Sequence, residues 1–357
     1  MPSIMNRRIV LYALLLISGG FVLCSCQRTF RQLTPEMAAD GKYDSTYPSV
    51  EVSDYLQRIT EMVYGMNAVG YYSGYVFPRE ARVTSGDIRS ETVMDKASSE
   101  IVYNTSVLGS ATVIHYSQNR IALLTCAHVL DFPDTSVTYF TREGSSVRSQ
   151  YIQSVGIKIR QNNYIPEFMG VLNQNLEILA IDRQRDLAIV GGEFRQSPNR
   201  QVRVFTYPVG NARDLQWGSY VFLIGFPRGR KMVTRGIVSQ PNRDRAHSFL
   251  TDALFNRGMS GSIVLAIRDG VPNFELVGMA NSAAGEIRYS LTPEETYETT
   301  NYDPKLPYTG DIYVDLQQKI NYGITNIISA EAIQAFLQKN ESRLLEQGYD
   351  LNSRFDE

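Results

Sequence analysis

Hydrophobic residues recur along this chain with a period that changes from region to region, and the changes divide it. Ile9 to Leu23 is one continuous apolar stretch behind Arg7 and Arg8. From Gln27 to about Ser49 the apolar signal fades, and Pro35, Gly41 and Pro48 mark a polar tether. Val52, Tyr55, Leu56, Ile59, Met62 and Val63 then follow one another at three- and four-residue spacing, which predicts an amphipathic helix packed on the main domain. Val69 to Lys96 keeps neither period; Tyr71, Tyr72, Tyr75 and Phe77 can pin it down, but no element is assigned. From about Ser98 short apolar runs alternate with turn-rich stretches: Ser106–His115, Ile121–Thr125, Leu176–Ile181, Leu187–Val190, Tyr220–Ile224, Ile263–Ile267 and Leu276–Ala280. Repeated short strands of this kind predict an all-β sandwich or barrel. One helical pattern comes last, from Ala330 to Leu337, with Ser329 as its N-cap.

The first apolar run is short for a membrane span, and its basic flank and small-residue end fit a cleaved export signal. Its end, Leu23-Cys24-Ser25-Cys26, resembles a bacterial lipobox, which makes Cys26 the lipidated first residue of the mature protein. The alternative is an uncleaved anchor; both tether the protein to a membrane outside the cytoplasm. Gln27 is not the aspartate associated with inner-membrane retention, so the expected place is the outer membrane, facing the periplasm. The chain has three cysteines. Removing the signal leaves Cys26 and Cys126, so no internal disulfide is expected and the core must hold the fold.

Composition narrows the function classes. With 43% hydrophobic and 20% charged residues the chain can bury a core, and a net charge of -2 gives no field to attract nucleic acid. The basic run Arg228, Arg230 and Lys231 reads as a solvated loop. No histidine and cysteine spacing suits zinc, and Gly225 to Lys231 lacks the P-loop pattern, so neither metal nor organic cofactor is expected.

Three segments carry chemistry. They are Leu124-Thr125-Cys126-Ala127-His128-Val129, Asp186-Leu187-Ala188-Ile189-Val190 and Gly258-Met259-Ser260-Gly261-Ser262. The order His, Asp, Ser is that of the chymotrypsin-type triad, and each gap has room for several strands. A serine hydroxyl needs an adjacent base to become a nucleophile, which His128 supplies, with Asp186 to fix its tautomer. Gly258 and Gly261 allow the tight turn that aims the Gly258 and Ser260 amides at a developing oxyanion, where one donor is worth on the order of 3 kcal/mol. His115 and His247 lack such a context, and Cys126 reads as a small buried hydrophobe rather than a nucleophile.

With these residues in view the chain resembles the HtrA-like branch of the trypsin-like serine proteases, over about residues 98–340. Gly109-Ser110-Ala111-Thr112-Val113-Ile114 is similar to the family strand before the histidine. Trp217 to Pro227 is similar to the second-barrel entry, Arg235-Gly236-Ile237-Val238-Ser239 to the strand that follows, and Thr251-Asp252-Ala253 to the segment before the serine loop. The resemblance implies two six-stranded antiparallel barrels with a C-terminal helix, here preceded by an N-terminal helical extension. It also implies endopeptidase action on polypeptide substrates through an acyl-enzyme, with protein quality control as a role. By the family pattern Leu254, six positions before Ser260, is the floor of the primary pocket and favours small or medium aliphatic residues, with Arg257 able to favour acidic ones instead. Two departures stand out: Met259 cannot make the ion pair that an aspartate makes there in trypsin-type zymogen activation, and Ser262 stands where the family has glycine. The organisation expected is 1–25 signal peptide, 26–97 tether and helical extension, 98–340 protease domain and 341–357 tail. Oligomeric state is left open. Two rivals remain: a catalytically silent, protease-like binding lipoprotein, and a hydrolase of esters.

Overall fold

The computed structural model describes residues 39–141, 148–198, 201–293, 305 and 312–351. The expected signal and Cys26 lie outside these. The chain divides into two units, Met1–Lys42 and Tyr43–Glu357. Of the first only residues 39–42 are described; all that follows concerns the second.

The second unit is mostly β, with two antiparallel sheets. Its elements begin with helix α1 (Ser53–Thr60) and strands β1 (Val63–Val76), β2 (Ser99–Ser117), β3 (Arg120–Thr125), β4 (Thr135–Thr141), β5 (Arg148–Tyr164), β6 (Glu177–Asp182) and β7 (Leu187–Glu193). These strands form a seven-stranded sheet in the order β4-β5-β1-β2-β3-β7-β6. Strands β8 (Tyr220–Gly225), β9 (Met232–Gln240), β10 (Phe249–Thr251), β11 (Ser262–Ile267), β12 (Phe274–Pro293) and β13 (Ile312–Ser329) close a barrel in the order β10-β13-β12-β11-β8-β9. Helix α2 (Ala330–Glu346) follows. The all-β double-sheet expectation holds, with one correction: among the described residues only the second sheet is a closed six-stranded barrel, and the first has seven strands.

The sheet also begins earlier than the sequence pattern placed it. β1 pairs with β2 from Val63↔Thr112 to Val76↔Ser99 and with β5 on its other side, so residues assigned to an extension before residue 98 are interior sheet. Its side chains alternate, with Tyr64, Met66, Ala68 and Tyr72 buried. Glycine and tyrosine at so many positions blur the apolar signal of period two. Gly70 shows why glycine is there: a Cβ would sit 2.7 Å from the Phe132 ring. The tail is likewise not free, since Tyr349 and Leu351 are buried with the core of the first sheet.

Each helix bolts the fold in a definite place. Val52, Ile59 and Met62 pack with Phe222, Ile224 and Leu265 of the barrel, so α1 rests on the second barrel before the chain enters the first sheet. Ile333, Phe336, Leu337 and Leu344 of α2 pack with the first sheet although the helix leaves from β13 of the second. The Ser329 hydroxyl accepts from Ala332 N, capping the first turn as its sequence position predicts. Both connections cross between the sheets and hold their shared face together.

Candidate active site

His128 lies where β3 ends. Cys126 is still extended (φ -78, ψ 143), and Ala127–Val129 form a single 3-10 turn that carries the imidazole out of the sheet. Asp186 closes the turn between β6 and β7 in the left-handed region, at φ 58, where an aspartate is one of the better tolerated residues. That turn is held by Asp182, whose Oδ1 accepts from the N–H groups of Gln184 and Arg185, each at 3.0 Å, while its Oδ2 meets Arg185 Nη1 at 2.8 Å. Burial opposes the Asp182 charge, but these donors outweigh it and hold the carboxyl below its ordinary value.

Ser260 sits on a turn between two glycines with positive φ, Gly258 at 101 and Gly261 at 90. Neither has room for a side chain: a Cβ would be 2.4 Å from Phe226 O at the first and 2.0 Å from Ser110 O at the second. Ser110 of β2 straps the turn from the other sheet. Its N–H donates to Ser260 O at 2.7 Å, its hydroxyl donates to Gly258 O at 2.8 Å, and it accepts from Phe226 N at 2.9 Å. Met259 is buried in the second barrel and anchors the turn by burial, in place of the ion pair it cannot make. Ser262 fits because its neighbour across the pair is small: a Cβ on Gly225 would lie 1.7 Å from Ser262 Oγ.

The fold brings the three side chains into a line. His128 Nδ1 is 2.7 Å from Asp186 Oδ2, the His128 N–H donates to Asp186 Oδ1 at 2.9 Å, and His128 Nε2 is 2.8 Å from Ser260 Oγ. An ionised carboxylate only accepts, so Nδ1 carries the ring proton and Nε2 is left to accept from the serine hydroxyl. Ser260 Oγ also reaches Asn281 O, at the longer distance of 3.3 Å. The Arg257 carbonyl accepts from Arg228 N at 2.8 Å. Among the described residues neither Gly258 N nor Ser260 N donates to a backbone acceptor.

Two residues read differently from the sequence. Leu254 is 55% exposed and does not form the floor of a pocket. Thr251, Ala253 and Phe255 take the buried side of this segment, which leaves Leu254 outward. Spacing from the serine picks a residue, but the packing of its neighbours decides which way it points. Cys126 joins the site more closely than a space-filler: its sulfur, a ring nitrogen of His128 and a carboxylate oxygen of Asp186 lie within 4.8 Å of one another. Sequence spacing did not group these three as ligands. The thiol is fully buried, and burial and then the Asp186 charge push its pKa well up, so it stays protonated and is a poor metal ligand. Ser110 and Asn281 carried no signal in the sequence beyond their place in a strand.

Comparison with known proteins gives one family match and a likeness among solved structures. Residues 109–279 match the family model described as a trypsin-like peptidase domain. A search of curated proteins finds no match. Among solved structures, the serine endoprotease from Yersinia pestis is similar with 17% identity and a TM-score of 0.38, over 85% of this chain and 70% of that one. The segment that holds His128, Asp186 and Ser260 is therefore a trypsin-like peptidase domain.

Proposed function

We propose that this chain is a serine endopeptidase that cleaves polypeptides through an acyl-enzyme, with Ser260 as nucleophile, His128 as general base and then acid, and Asp186 as the group that orients the imidazole. The observation that carries it is the unbroken line Asp186–His128–Ser260, at 2.7 and 2.8 Å, beside a turn whose Arg257 carbonyl accepts from Arg228 N. In the first step His128 Nε2 takes the hydroxyl proton as Ser260 Oγ adds to the scissile carbonyl. Charge on the carbonyl oxygen falls to the N–H groups of Gly258 and Ser260. The protonated ring then hands its proton to the leaving amine, and water repeats the sequence on the ester.

The proposal extends to location. Cys26 is the lipid attachment point, and the chain works at the bacterial envelope, in the periplasm on the outer membrane, on polypeptides awaiting quality control in the HtrA-like manner. No helix among the described residues is long and apolar enough to cross a membrane.

The test is labelling of the purified protein with a fluorophosphonate, followed by casein and a peptide library, with Ser260→Ala as control. Labelling confined to Ser260 together with peptide cleavage supports the reading. An unlabelled wild-type protein favours a silent binding lipoprotein, and turnover of esters without peptides favours the ester hydrolase.

A further inference from the structure

Beside the three side chains of the site lies a cleft of about 630 Å³, a size that takes a peptide side chain. It starts at the reacting atoms. Asn281 lines it, and the Asn281 carbonyl is 3.3 Å from Ser260 Oγ; Gln184 and Arg185 line it as well, and Asp186 is the next residue. A chain of side-chain hydrogen bonds runs along it. Arg243 Nη1 donates to Asn326 Oδ1 at 2.6 Å, Asn326 Nδ2 donates to Ser282 Oγ at 3.2 Å, and Ser282 Oγ donates to Asn281 Oδ1 at 3.2 Å. These bonds join Arg243 to Asn281 and put its guanidinium within roughly five residues of extended peptide from Ser260.

Positive charge is in excess on this cleft. Arg185 and Arg243 line it with a single carboxylate, Asp244. That carboxylate is taken up by its own turn: Oδ1 accepts from Ala246 N at 2.9 Å and Ser248 N at 3.1 Å, and Oδ2 from the Ser248 hydroxyl. Arg185 is paired with Asp182 at 2.8 Å. Arg243 is exposed, and its guanidinium bonds to the neutral Asn326 amide and, among the described residues, to no carboxylate. The first turn of α2 adds its positive end, since Ser329 and Ala332 line the cleft, while Glu331 of that turn accepts from Arg213 N at 3.0 Å and does not line it. Resting on the reading of the site as a peptidase, we propose that this cleft is a substrate subsite that selects an aspartate or glutamate within about five positions of the cleaved bond, with Arg243 recognising the carboxylate and Arg185 adding to the field. The planar guanidinium offers paired donors to a carboxylate, and the side chain of a bound peptide supplies the one that this chain does not.

Two measurements on the full-length protein test this. The first is kcat/KM on internally quenched peptides in matched pairs, glutamate against glutamine at each position within about five residues of the cleaved bond, for wild type, Arg243→Gln and Arg243→Lys. The second is the affinity of the same peptides, read by fluorescence anisotropy, for the Ser260→Ala variant with and without Arg243→Gln. Wild type is expected to favour glutamate roughly fivefold at a position on one side of the bond, the scale of an ion pair at a solvent-open site, and to lose part of that preference as salt is raised. Arg243→Gln is expected to bring the ratio below about twofold, and Arg243→Lys to keep most of it. The ratio cancels any general loss of activity. Peptides cleaved without a glutamate preference, or with one that Arg243→Gln leaves intact, as a preference carried by Arg257 would be, overturn the proposal and leave the peptidase reading standing. Should wild type cleave none of the peptides, the peptidase reading falls and the affinities alone decide: a glutamate preference lost with Arg243 supports the cleft as a site for acidic peptides, and equal affinities overturn it.

Discussion

At the scale of single residues the site depends on donors and acceptors whose partners are fixed. His128→Ala should cut turnover on the order of 10⁴-fold or more, as removal of one member of such a unit does, while the melting temperature stays within a few degrees of wild type. Peptide hydrolysis and a thermal scan check this; near-wild-type turnover would move the base elsewhere. Asp182 gives a prediction in pH. Its folded pKa is depressed, so its charge stabilises the turn above the unfolded value of about 4, and that contribution is lost as pH falls through the lower folded value. Asp182→Asn should therefore be less stable than wild type at neutral pH, and the two should converge in strong acid. Denaturant titrations at several pH values measure the gap; one that is constant down to low pH would leave the charge without a role.

At the scale of elements the turn that carries Ser260 belongs as much to the first sheet as to the barrel that contains it. Ser110 of β2 makes hydrogen bonds to Ser260 O, Gly258 O and Phe226 N. Ser110→Ala strands the last two, which at roughly 1–3 kcal/mol for each buried unsatisfied group should lower stability and slow labelling of Ser260 together. Equal labelling in the variant would mean that Met259 and the glycines hold the turn alone. Helix α2 makes the reverse connection. Phe336 is buried among first-sheet side chains, and Phe336→Ala should cost about 3–5 kcal/mol, measured by chemical unfolding.

At the scale of the whole molecule the decisive feature is the position of β1. It lies between β5 and β2, so a chain that starts at residue 98 lacks an interior strand and leaves two sheet edges facing a gap. A fragment of residues 98–340 is expected not to fold, read by near-UV circular dichroism and protease resistance, whereas one that starts at residue 43 and keeps the C-terminal residues should fold. A compact 98–340 fragment would show that β1 is an addition to a sheet complete without it.

His128, Asp186 and Ser260 could be picked out along the chain because the residues around each are short, contiguous and chemically constrained: an apolar strand ending in Ala127-His128, Asp186 before a strand, and Gly258 and Gly261 around a serine. Local rules of period and capping likewise marked the strands of the barrel and the Ser329 cap of α2. What no local rule contains is facing and partnership. β1 is a strand because β2 and β5 pair with it, and its glycines and tyrosines record close approach to distant rings rather than a periodic pattern. Leu254 points outward because Ala253 and Phe255 fill the barrel. Cys126 meets Asp186 within the first sheet, and Ala280 only once both sheets are assembled. Period and motif are properties of neighbours in sequence; burial and hydrogen-bond geometry belong to groups that folding alone makes neighbours in space.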